Sequence, residues 1–294
     1  MKVLCFGSLN IDHVYRVARI VTPGETTAAG EYIKNAGGKG LNQSVALARA
    51  GAAVFHAGRI GEDGAFLKQT LADAGVDVRF VQTVDAPTGH AVIQVADSAQ
   101  NSIIVYGGAN RTVDAGFVRE ILSRFEKDDI LLTQNETSGL ADLVAAAKEK
   151  GMKVYLNPSP FNDAVKQIDL TLVDCLILNE TEAAGYFAEN FMDAMRSAYP
   201  HLAVILTLGG EGSVYFDKTQ TARADAFRVD AVDTTAAGDT FTGYVITALA
   251  EGLSPANALR RASAAAALAV TKQGAAVSIP ARNAVDEFLK ERAK

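Results

Sequence analysis

Cysteine is scarce in this chain, with two in 294 residues. Cys5 and Cys175 each fall inside an apolar strand-like run, Val3–Phe6 and Leu172–Leu178. That placement reads as buried free thiols rather than a disulfide framework or a thiolate metal pair. It also suits a reducing cytoplasm, the expected location. An excess of basic charge is missing too. With 28 Lys and Arg against 34 Asp and Glu, the net charge of −6 leaves no basic face for nucleic acid or an anionic membrane. Small neutral or phosphorylated partners fit better. No run approaches the roughly 18 apolar residues of a membrane span. The first residues enter a strand without a basic region, a long apolar stretch or a small-residue cleavage site, so no secretory leader is expected. Repeats and low-complexity linkers are absent, and residues 1–294 read as one large α/β domain with a small appendage.

Two nucleotide fingerprints are also missing. The strand Lys2–Phe6 ends in Gly7-Ser8-Leu9-Asn10, but the G-x-G-x-x-G spacing of a dinucleotide site does not follow. A dinucleotide-dependent oxidoreductase fails on that ground. In Gly37-Gly38-Lys39-Gly40 no glycine stands four residues ahead of a Gly-Lys-Ser/Thr, so a P-loop is excluded on spacing and a plain tight turn stays open.

What is present is an alternation of short apolar runs and helical patterns. Hydrophobic residues make up 49% and charged residues 21%, as in an ordinary soluble globule. The patterns predict strands over 53–59, 78–81, 130–133, 153–157, 175–178 and 203–208. They predict helices over 44–50, closed by Gly51, and over 65–74, 113–125, 140–150, 180–188, 240–252, 255–272 and 282–292. Such alternation is the mark of a parallel sheet with crossover helices. Two polar, turn-broken segments interrupt it, about 12–34 and 89–106, and read as an edge flap. In an open parallel sheet the ligand lies beyond the carboxyl ends of the strands. Asn10 and Asp12, Asn135 and Glu136, Asn157, Asn179 and Glu182, and Gly209-Gly210-Glu211-Gly212 all follow strands. One such residue is ordinarily a helix cap; five clusters in succession point to a shared pocket.

The stretch Asp233-Thr234-Thr235-Ala236-Ala237-Gly238-Asp239-Thr240-Phe241 follows a β-like run, Ala226–Val232, and feeds a small-and-apolar helix. Ala236, Ala237 and Gly238 are small enough for an anion to approach the main chain, where first-turn N–H groups lack helical partners. A carboxylate at Asp239 beside such a site reads either as a base for an attacking hydroxyl or as an ordinary cap. The stretch alone does not decide.

Taken together, Gly7-Ser8-Leu9-Asn10-Ile11-Asp12, Pro23-Gly24-Glu25-Thr26, Gly37-Gly38-Lys39-Gly40-Leu41-Asn42-Gln43, Asn179-Glu180-Thr181-Glu182 and Asp233–Asp239 resemble, in order, the motifs of the ribokinase-like carbohydrate kinases. The likeness runs over essentially the whole chain. It implies a three-layer, doubly wound, mostly parallel sheet with a small β-sheet lid, and ATP-dependent phosphorylation of a sugar primary hydroxyl, D-ribose to D-ribose 5-phosphate. Another pentose, deoxyribose, a hexose or a nucleoside is the alternative within the class, and a non-catalytic sugar sensor the alternative outside it. The resemblance implies Asp239 as base, with the N–H groups of Ala236, Ala237 and Gly238 on the transferring phosphoryl. It implies Asn10, Asp12, Gly38, Asn42 and Glu136 around the sugar, with Lys39 beside them and no separate role for it. Asn179, Thr207, Gly209, Gly210, Glu211, Gly212, Gly238 and Ser263 would line the ATP site. Glu182 would orient Mg²⁺, and Asp233, Thr235, Val270, Gln273, Gly274 and Ser278 would hold K⁺. A homodimer through the lid is also expected. Two positions depart from the family pattern. Ser263 stands where a larger polar residue is frequent, and His90 stands where the flap is commonly apolar, and would read as a solvated surface residue or as a bias on sugar choice.

Overall fold

Alternate residues of the central strands serve two separate apolar cores. In β1 (Val3–Phe6), Val3 and Cys5 join one core while Leu4 and Phe6 join the other. This is how a strand reads when helices cover both of its faces. The computed structural model describes residues 1–98, 100–187 and 189–292.

After β1 come β2 (Asn10–Val17), β3 (Glu31–Gly37), α1 (Lys39–Ala50), β4 (Val54–Ile60), α2 (Ala65–Asp73), β5 (Asp77–Thr83), β6 (Gly89–Ala96) and β7 (Asn101–Tyr106). The α/β rhythm then resumes with α3 (Ala115–Leu122), β8 (Ile130–Gln134), α4 (Leu140–Glu149), β9 (Lys153–Asn157), β10 (Cys175–Asn179), α5 (Glu180–Tyr186), α6 (Phe191–Ala198) and β11 (Ala203–Thr207). A hairpin, β12 (Ser213–Phe216) and β13 (Thr221–Ala224), precedes α7 (Ala237–Ala250), α8 (Pro255–Val270) and α9 (Arg282–Glu291). The larger sheet has nine strands in the order β13-β12-β11-β10-β9-β8-β1-β4-β5, parallel except at β12 and β13. Helices α1, α2, α7, α8 and α9 pack on one face, and α3 to α6 on the other. Strand order runs outward in both directions from β1 and β8, so the switch point that favours a ligand lies there. A second sheet, β3-β2-β6-β7, is built from the two polar segments. Among the described residues no helix is long and apolar enough to cross a membrane.

The structure departs from the expected elements in four places. Helix α1 begins at Lys39 rather than Ser44, because the side chain of Ser8 and the carboxylate of Glu136 receive its first N–H groups. The run 226–232 is not a strand. Its alternating residues Phe227 and Val229 do pack on the core, with Phe227 edge-on to Phe288 at 5.3 Å, but no neighbouring strand offers its backbone. Helix α6 and the hairpin β12–β13 have no counterpart in the expected list, the strands being only four residues each. Positions 99, in the second flap, and 188, the expected end of the 180–188 helix, lie outside the described residues.

Candidate active site

The carboxyl ends of β9 to β11 and the first turn of α7 line a cavity of ≈ 240 Å³. Its lining includes Lys39, Asn179, Glu182, Thr207, Ala236, Ala237, Gly238 and Asp239. Helix α7 starts from Ala236, a non-glycine residue in the left-handed region at φ 60°, a conformation that normally has a reason. No side chain caps this helix. The N–H of Ala237 donates to Thr234 O at 3.2 Å, whereas those of Ala236 and Gly238 find no protein acceptor among the described residues. Of the three donors expected on the anion, Ala237 is therefore already engaged, by the turn that shapes the helix start.

Asp239 is buried, and each of its oxygens takes one side-chain donor from α1. Asn42 Nδ2 lies 3.0 Å from Oδ2 and Gln43 Nε2 lies 2.9 Å from Oδ1. A carboxylate oxygen has two acceptor positions, so each keeps one for a further proton or hydrogen bond. Asn42 Oδ1 is buried with no partner among the described residues, the mark of a group awaiting a donor.

On the side nearest the switch point, the glycines of 37–40 allow close approach of backbone and side chains. A Cβ on Gly37 would fall 2.0 Å from Asp12 Oδ2, and one on Gly40 would fall 2.4 Å from Ser8 N. Ser8 Oγ donates to Glu136, which also accepts from Lys39 N at 3.0 Å. Asn10 Oδ1 accepts from Asn110 Nδ2 at 2.8 Å, and Asn110 Oδ1 accepts from Leu9 N at 3.0 Å. Burial, with the Glu136 charge as the lesser cause, pushes the Asp12 carboxyl up to about 7. Burial alone would lower the Lys39 ammonium, but the carboxylates of Asp239, Glu136 and Glu182 outweigh it and hold the group above the usual lysine value. Lys39 therefore stays charged, and it lines the cavity, although the motif reading assigns it no separate role.

Asn179 and Glu182 cap α5 reciprocally, with Asn179 Oδ1 accepting from Glu182 N at 2.9 Å and Glu182 Oε2 from Asn179 N at 3.0 Å. The local cap and a place on the cavity wall coexist. A Cβ on Gly209, Gly210 or Gly238 would meet nothing within 4 Å, so these positions face open space. Gly212 is different, held at φ 104° against Ala224 O. Ser263 is buried on α8 and does not line the cavity. Nearby, Asp233 accepts from Thr235 N and Thr235 Oγ1 through Oδ1 and from Gly274 N through Oδ2, at 2.9, 2.6 and 2.9 Å. Val270 O accepts from both Val232 N and Asp233 N. Ser278 Oγ donates to Ala275 O. The carbonyls of Thr235, Gln273 and Gly274 accept no hydrogen bond among the described residues.

In the small sheet, His90 is half-buried rather than solvated. It lies edge-on to His13 at 5.8 Å, tilted against Tyr106 at 5.1 Å, with Nδ1 at 3.1 Å from Thr88 O.

The pattern of a pfkB family carbohydrate kinase matches residues 1–282. The chain belongs to that family. It is 41% identical to the ribokinase of Haemophilus influenzae over 96% of both chains. Among solved structures it resembles the Arabidopsis thaliana ribokinase complexed with ribose and ATP, with a TM-score of 0.86 and 32% identity over 98% of each chain. It also resembles the Cryptococcus neoformans ribokinase in complex with ADP, with a TM-score of 0.84 and 32% identity over 97% of this chain and 99% of that one. The fold is therefore the three-layer one expected of the family, and the activity class is an ATP-dependent carbohydrate kinase. Residues that motif reading did not single out also shape the site. Asn110 orients Asn10, Ser8 closes the start of α1, and Gln43, Gln134 and Asn157 lie beneath Asp239. Asn157, as a polar residue after a strand, and Ser8 and Gln43, inside motifs, left a signal in the sequence; Asn110 and Gln134 left none.

Proposed function

We propose that this chain transfers the γ-phosphoryl of ATP to the primary hydroxyl of D-ribose, giving D-ribose 5-phosphate. The observation that carries the reading is a two-oxygen carboxylate, Asp239, held by Asn42 and Gln43 beside a helix start with free N–H groups. That pairing places a proton acceptor next to an anion site, as in-line transfer to a hydroxyl requires. Asp239 accepts the hydroxyl proton. Ala236 and Gly238 N–H and the Lys39 ammonium balance charge growing on the phosphoryl oxygens. Asn10, Asp12, Gly38, Asn42 and Glu136 pair with the sugar hydroxyls, whose burial without partners would be costly. Asn179, Thr207, Gly209, Gly210, Glu211 and Gly212 flank ATP, whereas Ser263, buried away from the cavity, has no part in the reading.

Mg²⁺ fits Glu182, a single carboxylate that would hold it through waters, where the ion would neutralise phosphate charge. K⁺ fits the Asp233 carboxylate, the free carbonyls of Thr235, Gln273 and Gly274, and the Ser278 hydroxyl. The Val270 carbonyl, which already accepts two N–H groups, fits less well. The small sheet acts as a lid that excludes water, the competing acceptor. Its exposed Tyr32, Ile103, Ile104, Val105 and Tyr106 would bury against a second copy in a homodimer. The two buried free thiols suit a cytoplasmic setting.

The test is an ADP-release assay with ribose, 2-deoxyribose, other pentoses, hexoses and nucleosides. Ribose should exceed 2-deoxyribose in kcat/KM by the equivalent of about 1–3 kcal/mol, the cost of an unpaired buried group. A preference for any other member of the panel replaces ribose as substrate, and no transfer to any of them overturns the kinase reading.

A further inference from the structure

Asp239 rests on a buried chain of side-chain amides. Gln43, with no exposure at all, donates through Nε2 to Asp239 Oδ1 at 2.9 Å and to Asn157 Oδ1 at 3.2 Å. Its Oε1 accepts from Gln134 Nε2 at 2.6 Å. Gln134, equally buried at the end of β8, also aims Nε2 at Cys5 Sγ at 3.6 Å, and that thiol in turn donates to Gly40 O. Asn157 Nδ2 is anchored on Ile177 O at 2.8 Å.

The direction of this chain is forced. An ionised carboxylate can only accept, so Gln43 must present Nε2 to it, and Gln43 Oε1 must then face the other way. The partner there must donate, which fixes Gln134 with Nε2 toward Gln43. The consequence for Gln134 is costly: its Oε1 is left buried with no hydrogen-bond partner among the described residues, lodged where a Cβ on Gly7 would come within 2.2 Å. Turning the Gln134 amide over would set two acceptor oxygens face to face. A fold that tolerates an orphan acceptor to keep one amide orientation is holding that orientation for something.

We propose that Gln134, acting through Gln43, is a positioning residue that fixes the Asp239 carboxylate for proton acceptance. The inference rests on the reading of Asp239 as the base. Gln134 makes no hydrogen bond to Asp239, and although its backbone pairs with the cavity-lining Asn157, its own side chain does not line the cavity. Its effect therefore reaches the reaction only by locking the Gln43 amide. Without that lock the Gln43 amide loses its anchor on the far side and is free to swing, taking with it the donor that holds Asp239 Oδ1 in place.

The experiment measures kcat and KM for sugar and ATP in wild type, Gln134→Met, Asp239→Asn and the double variant. Gln134→Met should lower kcat by roughly tenfold to a hundredfold, the scale of a small misplacement of a reacting group, with both KM values within about twofold. In the Asp239→Asn background the same change should cost nothing further, since its target is gone. A Gln134→Glu variant preserves shape should Gln134→Met fail to fold. Its protonated carboxyl can donate to Gln43 Oε1 and its ionised form cannot, so its kcat relative to wild type should fall as pH rises. The inference is overturned if Gln134→Met and Gln134→Glu both keep wild-type kcat at every pH. It is equally overturned if Gln134→Met costs as much in the Asp239→Asn background as alone. If Asp239→Asn itself turns over like wild type, the base assignment falls first; if Asp239→Asn is slow while both Gln134 variants are normal, only the relay falls.

Discussion

Helices α1 and α7 start side by side, joined through Asn42, Gln43 and Asp239, and both grow out of a small-residue turn, yet one start is closed and the other open. At α1 the protein supplies its own partners. Lys39 N donates to Glu136, Gly40 N to Ser8 Oγ and Leu41 N to Ser8 O. At α7, among the described residues, Ala237 N alone of the three is used, by its own turn, and Ala236 and Gly238 line the cavity. The glycines serve opposite ends. Gly40 lets backbone meet backbone, whereas Gly238 has nothing within 4 Å of its absent Cβ. Two helix starts that look alike in sequence therefore differ: the chain itself closes one, and the other is left open for the phosphoryl group proposed to bind there. What separates them is whether other segments of the chain reach the free donors first.

The closed start concentrates the chain's own negative charge, and this predicts the largest effect. Glu136 accepts from the first N–H of α1, and burial together with the Glu136 charge pushes the Asp12 carboxyl up to about 7. In the unfolded chain Asp12 titrates near 4, so between about pH 4 and 7 the folded, sugar-free protein binds the extra proton. Stability should be fully present below pH 4 and fall as pH rises through 7, by up to about 4 kcal/mol at 1.36 kcal/mol per unit. Urea unfolding across pH checks this, and Asp12→Asn should flatten that part of the curve. An unchanged slope in the variant assigns the titration to another group.

The open start predicts a loss in rate without a loss in binding. Asp239→Asn keeps size and hydrogen-bonding reach but cannot accept the proton, so kcat should drop by about 10² or more while sugar and ATP affinities hold. Near-normal turnover removes Asp239 from the role of base. Next in size is a paired substitution at the two glycines. Gly40→Ala forces a Cβ to within 2.4 Å of Ser8 N and should destabilise the fold by about 1–3 kcal/mol. Gly238→Ala should leave stability within about 0.5 kcal/mol of wild type and slow transfer instead, by crowding the anion. Thermal unfolding and turnover of both variants test the contrast; equal losses of stability would erase the distinction between closed and open starts.

Much of this frame was legible before any coordinates. The central strands announced themselves because helices cover both faces, so their apolar runs are nearly continuous, as in Val3–Phe6. Asp239 and its turn were legible as a small-residue entry to a helix. The beginning of α1 was not, because the partners that let it start at Lys39 come from Ser8 and Glu136, 32 to 97 residues away. The run 226–232 misled for the converse reason. Its alternation was real, but alternation reports which side faces the core, not whether a strand lies alongside. The amides beneath Asp239 were illegible as a set, since Gln43, Gln134 and Asn157 meet across separations of 91 and 114 residues.

The smallest expected effect concerns the loop that leads into the open start. A turn of Thr, Ala and Gly has little side-chain packing to fix it, which would make a bound cation essential if nothing else held it. Here the chain already does part of that work, for Asp233 reaches Gly274 N at 2.9 Å and Val270 O takes two N–H groups from 232 and 233. A cation seated by Asp233 and the free carbonyls of Thr235, Gln273 and Gly274 would add rigidity and offset phosphate charge, without being the sole tie. A carbonyl-rich site with one carboxylate suits a large, weakly hydrated ion, so K⁺ should raise the rate a few-fold over a bulky organic cation, and Na⁺ less. Asp233→Ala should remove both the cation response and the loop's own tie, lowering the rate below that of wild type in the organic cation. If wild type runs equally fast in all three salts, the loop is held by its hydrogen bonds alone. If instead the Asp233→Ala enzyme keeps the whole K⁺ response, the ion sits elsewhere.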